Sequence, residues 1–243
     1  METSSPAPHS SYPSNNGRDM ARLERRLPAL LSAVAGTVDV IGFLSLKLFT
    51  AHVTGNLVVI AALLVRGGPP NVNQILAVPV FILAVGCVWL IAEALNRRGA
   101  ALARPLLLVQ FLLLTCVLIV SVAFHSTAHP NGLPPSIAGM IAVSAMACQF
   151  SLLRLAVPGA PSTAVMTGNL TRTVLSLLDT LSQRPVVEDA REQLKKTLQL
   201  IVPFFIGCLA GAAALSWLGD WAWSLPVVLA GMALILVPVG QND

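Results

Sequence analysis

Two copies of a Thr-Gly-Asn triplet stand 113 positions apart, Thr54-Gly55-Asn56 and Thr167-Gly168-Asn169. Each sits inside an apolar stretch, AHVTGNLVVI from Ala51 and AVMTGNLTRT from Ala164. A glycine between two hydrogen-bonding side chains weakens a helix, and those side chains can meet the backbone groups that the weakening frees. Inside a membrane this is the chemistry of a helix break. The freed carbonyls and helix-end dipoles of such a break can hold an ion or a small polar solute; the plainer role is to cap the break and lock the chain in place.

Asp39 is the sharpest single residue, a carboxylate near the middle of the first apolar run. Inserting a charge at that depth costs about 2.5 to 3.5 kcal/mol, so Asp39 must be protonated or paired. A buried acid can carry a proton during transport, or it can fix packing through an interhelical bond. Arg172, three residues after Asn169, is the expected partner, with Arg154 as substitute. His52 introduces the first triplet and is a candidate proton relay. At an offset of 110, Gly36-Thr37-Val38-Asp39 falls opposite Met146-Ala147-Cys148-Gln149, and a three-residue insertion near Pro158-Gly159-Ala160 restores 113. Gln149 thus takes the place of Asp39 in the second copy. The chain reads as two homologous halves.

Composition sets the class of element that must position these residues. With 243 residues, 55% hydrophobic, 11% charged and a mean hydropathy of +0.77, the chain has too few charges to cover a soluble globule. A polytopic membrane protein is expected. Fifteen Lys and Arg against 11 Asp and Glu give a net charge of +4. The basic residues lie beside apolar segments, so they read as topology signals facing an anionic membrane surface rather than as a nucleic-acid footprint. Cys87, Cys116, Cys148 and Cys208 have no ligand spacing and read as small core residues. His125 and His129 stand four apart in a loop rich in Pro and Gly, so no metal site is expected. Neither a cofactor motif nor a soluble-enzyme motif occurs, and the chain is expected not to be an enzyme.

Taken in order, residues 1–27 form an expected disordered tail with a basic collar at Arg18, Arg22, Arg25 and Arg26. The first membrane repeat covers 28–126 and the second 136–240. Spans of adequate length are expected over Ala29 to Leu48, Gln74 to Leu95, Pro105 to Phe124, Ser136 to Val157 and Leu198 to Leu218, with a short last span from Leu225 to Val239. Gly36 and Gly42, and later Gly207, Ala210 and Gly211, make small-residue faces suited to close packing. Only nine apolar residues follow Asn56, half of a span, and Thr171, Arg172 and Thr173 interrupt the continuation of the second triplet. Val186 to Leu194 is an amphipathic surface helix in this reading, and Trp217, Trp221 and Trp223 form an interfacial belt.

Whether the triplet segments cross is decided by the positive-inside bias. With a cytoplasmic N-terminus and both segments re-entrant, twelve Lys and Arg fall inside against two outside, Lys47 and Arg66. If both cross, the division is nine against five. Re-entry therefore fits better. Three crossings and one re-entrant segment per half make the halves inverted, so the two breaks enter from opposite faces and approach each other near the midplane. The expected fold is all-α: six transmembrane helices plus two short re-entrant segments in two inverted halves.

The run Gly36-x-Val38-Asp39, then His52-x-Thr54-Gly55-Asn56, then Thr163-x-x-Met166-Thr167-Gly168-Asn169-Leu170-Thr171 resembles the signature of the YoaK-like family of uncharacterised bacterial membrane proteins. The resemblance extends over roughly Arg26 to Val239. It departs at Val53, where Met is the expected residue, and at Phe150 after Gln149. It implies an integral protein of the bacterial inner membrane and supplies no substrate or reaction.

Passage of a small polar solute or ion between the halves is the functional expectation, proton-coupled through Asp39, with Asp39, His52, Thr54, Gly55, Asn56, Gln149, Thr167, Gly168, Asn169 and Arg172 along the pathway and membrane lipid around it. The rival is a non-transporting structural or accessory membrane protein whose breaks serve packing. A polar cavity between the triplet segments favours the first, and a dry interdigitated interface favours the second.

Overall fold

The structure, a computed structural model, describes residues 15–67, 71–127, 132–156, 162–163, 166–182 and 187–237, with side chains from 26 onward in the first helix and from 189 onward in the seventh. The outermost tail, the insertion at 158–160 and His129 lie outside the described residues. All described regular structure is helical: α1 Asn15–Leu46, α2 Val53–Arg66, α3 Val72–Asn96, α4 Ala103–Ala123, α5 Leu133–Ala156, α6 Met166–Leu181, α7 Val187–Leu218, a 3-10 turn Gly219–Trp223 and α8 Ser224–Leu236. Among the described residues, five stretches are long and apolar enough to cross a membrane, Arg26–Leu46, Val72–Asn96, Ala103–Ala123, Leu133–Ala156 and Asp189–Leu236. The last contains α7, the 3-10 turn and α8, and its 48 residues exceed the roughly 20 that one crossing requires.

The helix lengths run long, short, long, long in α1–α4 and long, short, long, short in α5–α8, but the packing repeats. Matching α1 with α5, α2 with α6, α3 with α7 and α4 with α8, each contact has its counterpart: α1 on α7 with α5 on α3, α2 on α3 with α6 on α7, and α4 on α5 with α8 on α1. The remaining main pairs, α1 with α5 and α4 with α8, join equivalent helices.

Helix directions follow from individual contacts. Leu46 and Leu48, at the end of α1, meet Gly139 near the start of α5, while Gln149 Nε2, ten residues further along α5, donates to Leu31 O at the middle of α1, at 2.9 Å. Equivalent helices α1 and α5 therefore run antiparallel. Arg104 Nη1 at the start of α4 reaches Val237 O after α8, at 3.3 Å, and Thr127 beyond α4 donates twice to Asp220 before α8, so α4 and α8 are antiparallel too. By contrast, α1 and α7 run parallel: Ser32 Oγ donates to Leu200 O at 2.7 Å and Gly36 lies against Phe204.

The small-residue faces account for the closeness of α1 and α7. A Cβ built on Gly36 would stand 2.2 Å from Phe204 O, and one on Gly207 would stand 2.4 Å from Ala33 O. Each helix thus lays backbone against a glycine of the other, an approach that any larger residue prevents.

Several expectations are corrected here. Residues 15–27, expected in the disordered tail, lie in α1. Thr171, Arg172 and Thr173 do not interrupt α6. The hydroxyls of Thr171 and Thr173 bond back to the carbonyls of Thr167 and Asn169 at 3.0 and 2.9 Å, which satisfies them without leaving the helix. The expected surface helix is the first part of α7, continuous with the span that follows. Trp217 and Trp221 are exposed, but Trp223 is buried in the core, because the 3-10 turn points it inward. Of the free cysteines Cys148 is buried and Cys208 half-buried, while Cys87 and Cys116 face outward from apolar helices.

Candidate functional site

The first break lies ahead of the triplet, in residues 47–52, and the triplet itself forms the first turn of α2. Lys47 ends α1 by adopting a left-handed conformation with φ 55°, and Leu48 N reaches back to Gly42 O at 3.3 Å. The loop then folds back along the bundle. Asp39 precedes Leu46 by seven residues, about 10 Å of helix, and the loop descends to its level. Leu48 and Thr50 are fully buried. Leu48 packs where Gly139 has no side chain, and Thr50 packs where Gly42 has none. Gln74 Nε2, at the start of α3, donates to Lys47 O at 2.9 Å, so the chain returns to the end of the bundle at which α1 finished.

Asp39 holds this loop. Its Oδ1 accepts from the backbone N–H groups of Thr50 and Ala51 at 2.9 Å each and of His52 at 3.4 Å, and its Oδ2 lies 2.6 Å from His52 Nδ1. Three successive N–H groups at a helix start form a concave donor site for an anion, and the carboxylate fills it. The N-terminal position of α2 belongs to His52, which makes no side-chain cap; the cap is lent by α1 instead. The partner of Asp39 is therefore His52. Arg172, the partner expected from the sequence, lies on the exposed side of α6, because that helix turns it away from the bundle. Phe204 of α7 meets the His52 ring edge-on with centroids 5.5 Å apart. His52 is the accessible member of the pair, with 31% of its side chain exposed against 8% for Asp39.

Asn56 locks the same loop from the other side. Its Oδ1 accepts from Phe49 N and its Nδ2 donates to Phe49 O, at 2.9 and 2.8 Å. Gly55 has an ordinary negative φ; a Cβ there would meet the Phe49 ring at 3.1 Å, so the glycine serves packing and not backbone freedom. Thr54 is exposed on the outer face of α2.

The second half rebuilds this joint with different chemistry. Asn169 Nδ2 donates to Ser162 O at 2.8 Å, repeating the seven-residue reach of Asn56 to Phe49. Gln149 contacts Thr163 through Nε2 to Oγ1 at 3.5 Å, as Asp39 contacts Thr50. The charge is absent, however. Gln149 instead joins a buried amide chain, accepting from Gln110 Nε2 at 2.7 Å and donating to Leu31 O. By sequence, the counterpart of His52 is Val165. Thr167 is exposed and Gly168 is half-buried.

Removing the Asn56 side chain takes both of its bonds from Phe49, and removing that of Asn169 takes its donor from Ser162 O. We expect Asn56→Ala and Asn169→Ala each to lower stability by about 1 to 3 kcal/mol, measurable as a lowered melting temperature in detergent. An unchanged melting temperature for either would show that its loop is held by other contacts.

Between the joints, Val34, Ala35, Val38, Ala142, Val143 and Met146 are fully buried in one apolar cluster. The described interface of α1 and α5 is thus dry.

The structure brings together Asp39, His52 and Asn56 at one joint and Gln149 and Asn169 at the other. Thr54, Thr167 and Arg172 stay outside both. Sequence reasoning missed Thr50 and Thr163 as site residues, although they extend the 113-residue repeat upstream. It also missed the roles of Gln110, whose only signal was strong polarity within an apolar run, and of Gln74, which stands at the polar edge of its span.

A family model described as "Protein of unknown function (DUF1275)" matches residues 27–237. No curated protein and no solved structure matches the chain.

Proposed function

The chain belongs to the DUF1275 family of proteins of unknown function, and we propose that it is a non-enzymatic transporter or channel for a small polar solute or ion, coupled to protons at Asp39 and His52. The observation that carries this reading is the difference between the two joints. In the second half a neutral glutamine stands at the place of Asp39 and meets Thr163, so that place accepts an uncharged side chain. The first half nevertheless keeps a carboxylate and an imidazole 2.6 Å apart at the same place. A carboxylate and an imidazole in hydrogen-bond contact form a path along which a proton can pass. His52 faces the accessible side and Asp39 the interior, an order suited to handing a proton inward.

The architecture in this proposal has six crossings, α1, α3, α4, α5, α7 and α8, with α2 and α6 re-entrant and the halves inverted. The antiparallel course of α1 against α5 and of α4 against α8 supports inversion, and the bond from Gln74 to Lys47 supports re-entry of α2. The location is the bacterial inner membrane with a cytoplasmic N-terminus, supported by the bias of Lys and Arg toward the end where α1 begins. In this picture the dry α1–α5 interface is the closed state of the pathway.

That dry interface is also the one observation favouring a second reading, a structural or accessory membrane protein with a permanently closed core. Proton uptake separates the two. Proteoliposomes holding the full chain and an enclosed pH-sensitive dye are challenged in turn with amino acids, sugars, small carboxylates and monovalent cations. We expect at least one to drive proton movement in the parent protein and none to do so in Asp39→Asn. If no solute raises proton movement above that of empty liposomes, the structural reading replaces transport.

A further inference from the structure

We infer that the last two turns of α6, Val174 to Leu181, lie on the lipid bilayer at the membrane face where α1 begins, with their leucines at the hydrocarbon boundary. The inference stands apart from the transport reading and needs only a chain that spans a membrane.

α6 is strongly amphipathic, and its two sides are the reverse of those of a helix in a soluble globule. Asn169, Thr173, Ser176 and Thr180, spaced four, three and four apart, are buried or half-buried on the side that packs on α7. Leu170, Val174, Leu177, Leu178 and Leu181 form an outer row, with exposures from 44% at Leu177 to 70% at Leu181. Arg172 and Asp179 fall nearly opposite that row at about 100° of turn per residue. An amphipathic helix whose apolar side is left open by the protein suits a bilayer surface.

The level of the row follows from the ends of the neighbouring helices. Gln149 is bonded to Leu31 O and to Gln110, and α5 ends at Ala156 and α4 begins at Ala103, each about 10 Å from its glutamine. α8 ends beside Arg104, at the same level. α7 reaches further. Its first residue, Val187, lies about 20 Å of helix before Leu200, whose carbonyl takes the Ser32 hydroxyl next to Leu31. The start of α7 therefore projects about 10 Å past α4, α5 and α8. α6 ends at Leu181, packs on α7 and joins it after a short connection, so the two run antiparallel and Val174 to Leu181 accompany the projection.

Along the projection α7 exposes Asp189, Arg191, Glu192, Lys195 and Lys196, charges that exclude hydrocarbon on that side. At the same level α6 exposes its leucines, which disfavour water on the other. Both conditions hold only where lipid meets water. Neither end of the chain supplies apolar side chains to cover the row. Residues 1–14, which lead into α1 at this face, contain no Leu, Ile, Val or Phe, and residues 238–243 contain one valine. Lipid is already at hand, because α7 turns Val202, Phe205, Ile206 and Leu209 outward from its membrane span, and the row on the neighbouring α6 extends that apolar surface to the boundary. The helix so seated holds Ser162 through Asn169 at its other end, which ties the second joint to the lipid surface.

Spin labels on the full chain in phospholipid nanodiscs test this seat. On a background lacking the native cysteines, labels are placed singly by Val174→Cys, Leu177→Cys, Leu178→Cys and Leu181→Cys, with Asp179→Cys on the opposite side of α6. Leu83→Cys on the outer face of α3 is the lipid reference and Arg191→Cys the water reference, both exposed. All the row positions are exposed too, so the substitutions leave the packing intact. The readout is collision with oxygen, which concentrates in lipid, relative to collision with a water-soluble nickel chelate. We expect the ratio at the four row positions to exceed that of Arg191→Cys several-fold and to approach that of Leu83→Cys, while Asp179→Cys stays near Arg191→Cys. A row that matches Arg191→Cys faces water and overturns the inference. A lipid-like ratio at Arg191→Cys overturns it as well, by placing the whole hairpin in hydrocarbon. A row closed to both reagents has protein against it and also overturns the inference; spectral broadening that disappears on dilution with unlabelled chain would identify that protein as a second copy.

Discussion

Gly36→Val should abolish the native packing of α1 on α7. The new Cβ alone would lie 2.2 Å from Phe204 O, and the obstacle is backbone, which cannot rotate aside as a side chain can. The helices must separate by more than an ångström. That separation also opens the contacts of Gly207 with Ala33 and of Gly211 with Thr37, because all lie along the same seam. Membrane helices gain little from apolar burial against each other and depend on van der Waals contact and close approach, so losing the seam is costly. We expect a loss of about 3 kcal/mol or more, seen as a large fall in melting temperature and in the monodisperse fraction after extraction. Gly86→Val is the control, since nothing lies within 4 Å of a Cβ there. If Gly36→Val melts with the parent, α1 and α7 are not packed as described.

Asp39→Ala should be the most damaging change at the joint. It removes the acceptor of three backbone N–H groups and the partner of His52 while leaving all four buried or half-buried. Orphaning buried polar groups costs about 1 to 3 kcal/mol each, and the groups share one loop, so we expect about 3 to 5 kcal/mol in total, as for breaking a buried pair. Asp39→Asn keeps the oxygen and should cost about 1 to 2 kcal/mol. Arg172→Ala should change stability little, because Arg172 is exposed. Equal losses for Asp39→Ala and Arg172→Ala would restore the pairing expected from the sequence and remove the His52 partnership.

These variants mark the boundary between what was legible in the chain and what was not. The glycines of the α1–α7 seam could be read as packing residues, since small residues in apolar helices have few other uses. Their mates could not be assigned, because Gly36 and Gly207 are 171 positions apart and either could have faced any helix. Similarly, the cost of a buried carboxylate showed that Asp39 needed a partner, and the choice of Arg172 followed from formal charge. Charge was the wrong guide. A short loop that folds back by two helical turns presents three N–H groups and an imidazole, and this local set satisfies the carboxylate before any distant arginine can reach it.

The triplets teach the same lesson. Their glycine suggested a break within the helix, but the break precedes them, and Asn56 and Asn169 act backward on Phe49 and Ser162 across seven residues. Periodicity places an asparagine on a helix face; it does not say which loop returns to meet it.

By itself the sequence determined an all-helical chain with membrane-length apolar runs, a repeated Thr-Gly-Asn triplet and a buried acid in need of a partner. These follow from composition, span length, offset and the cost of burying charge, all of which act locally or by counting. Tertiary structure alone decided that the acid caps the helix that follows it, that Gln149 bonds to Gln110 and Leu31, and that the space between the joints is closed. Each of those depends on which side chains meet after the loops fold back, and contacts between residues far apart in the chain leave no mark on local pattern.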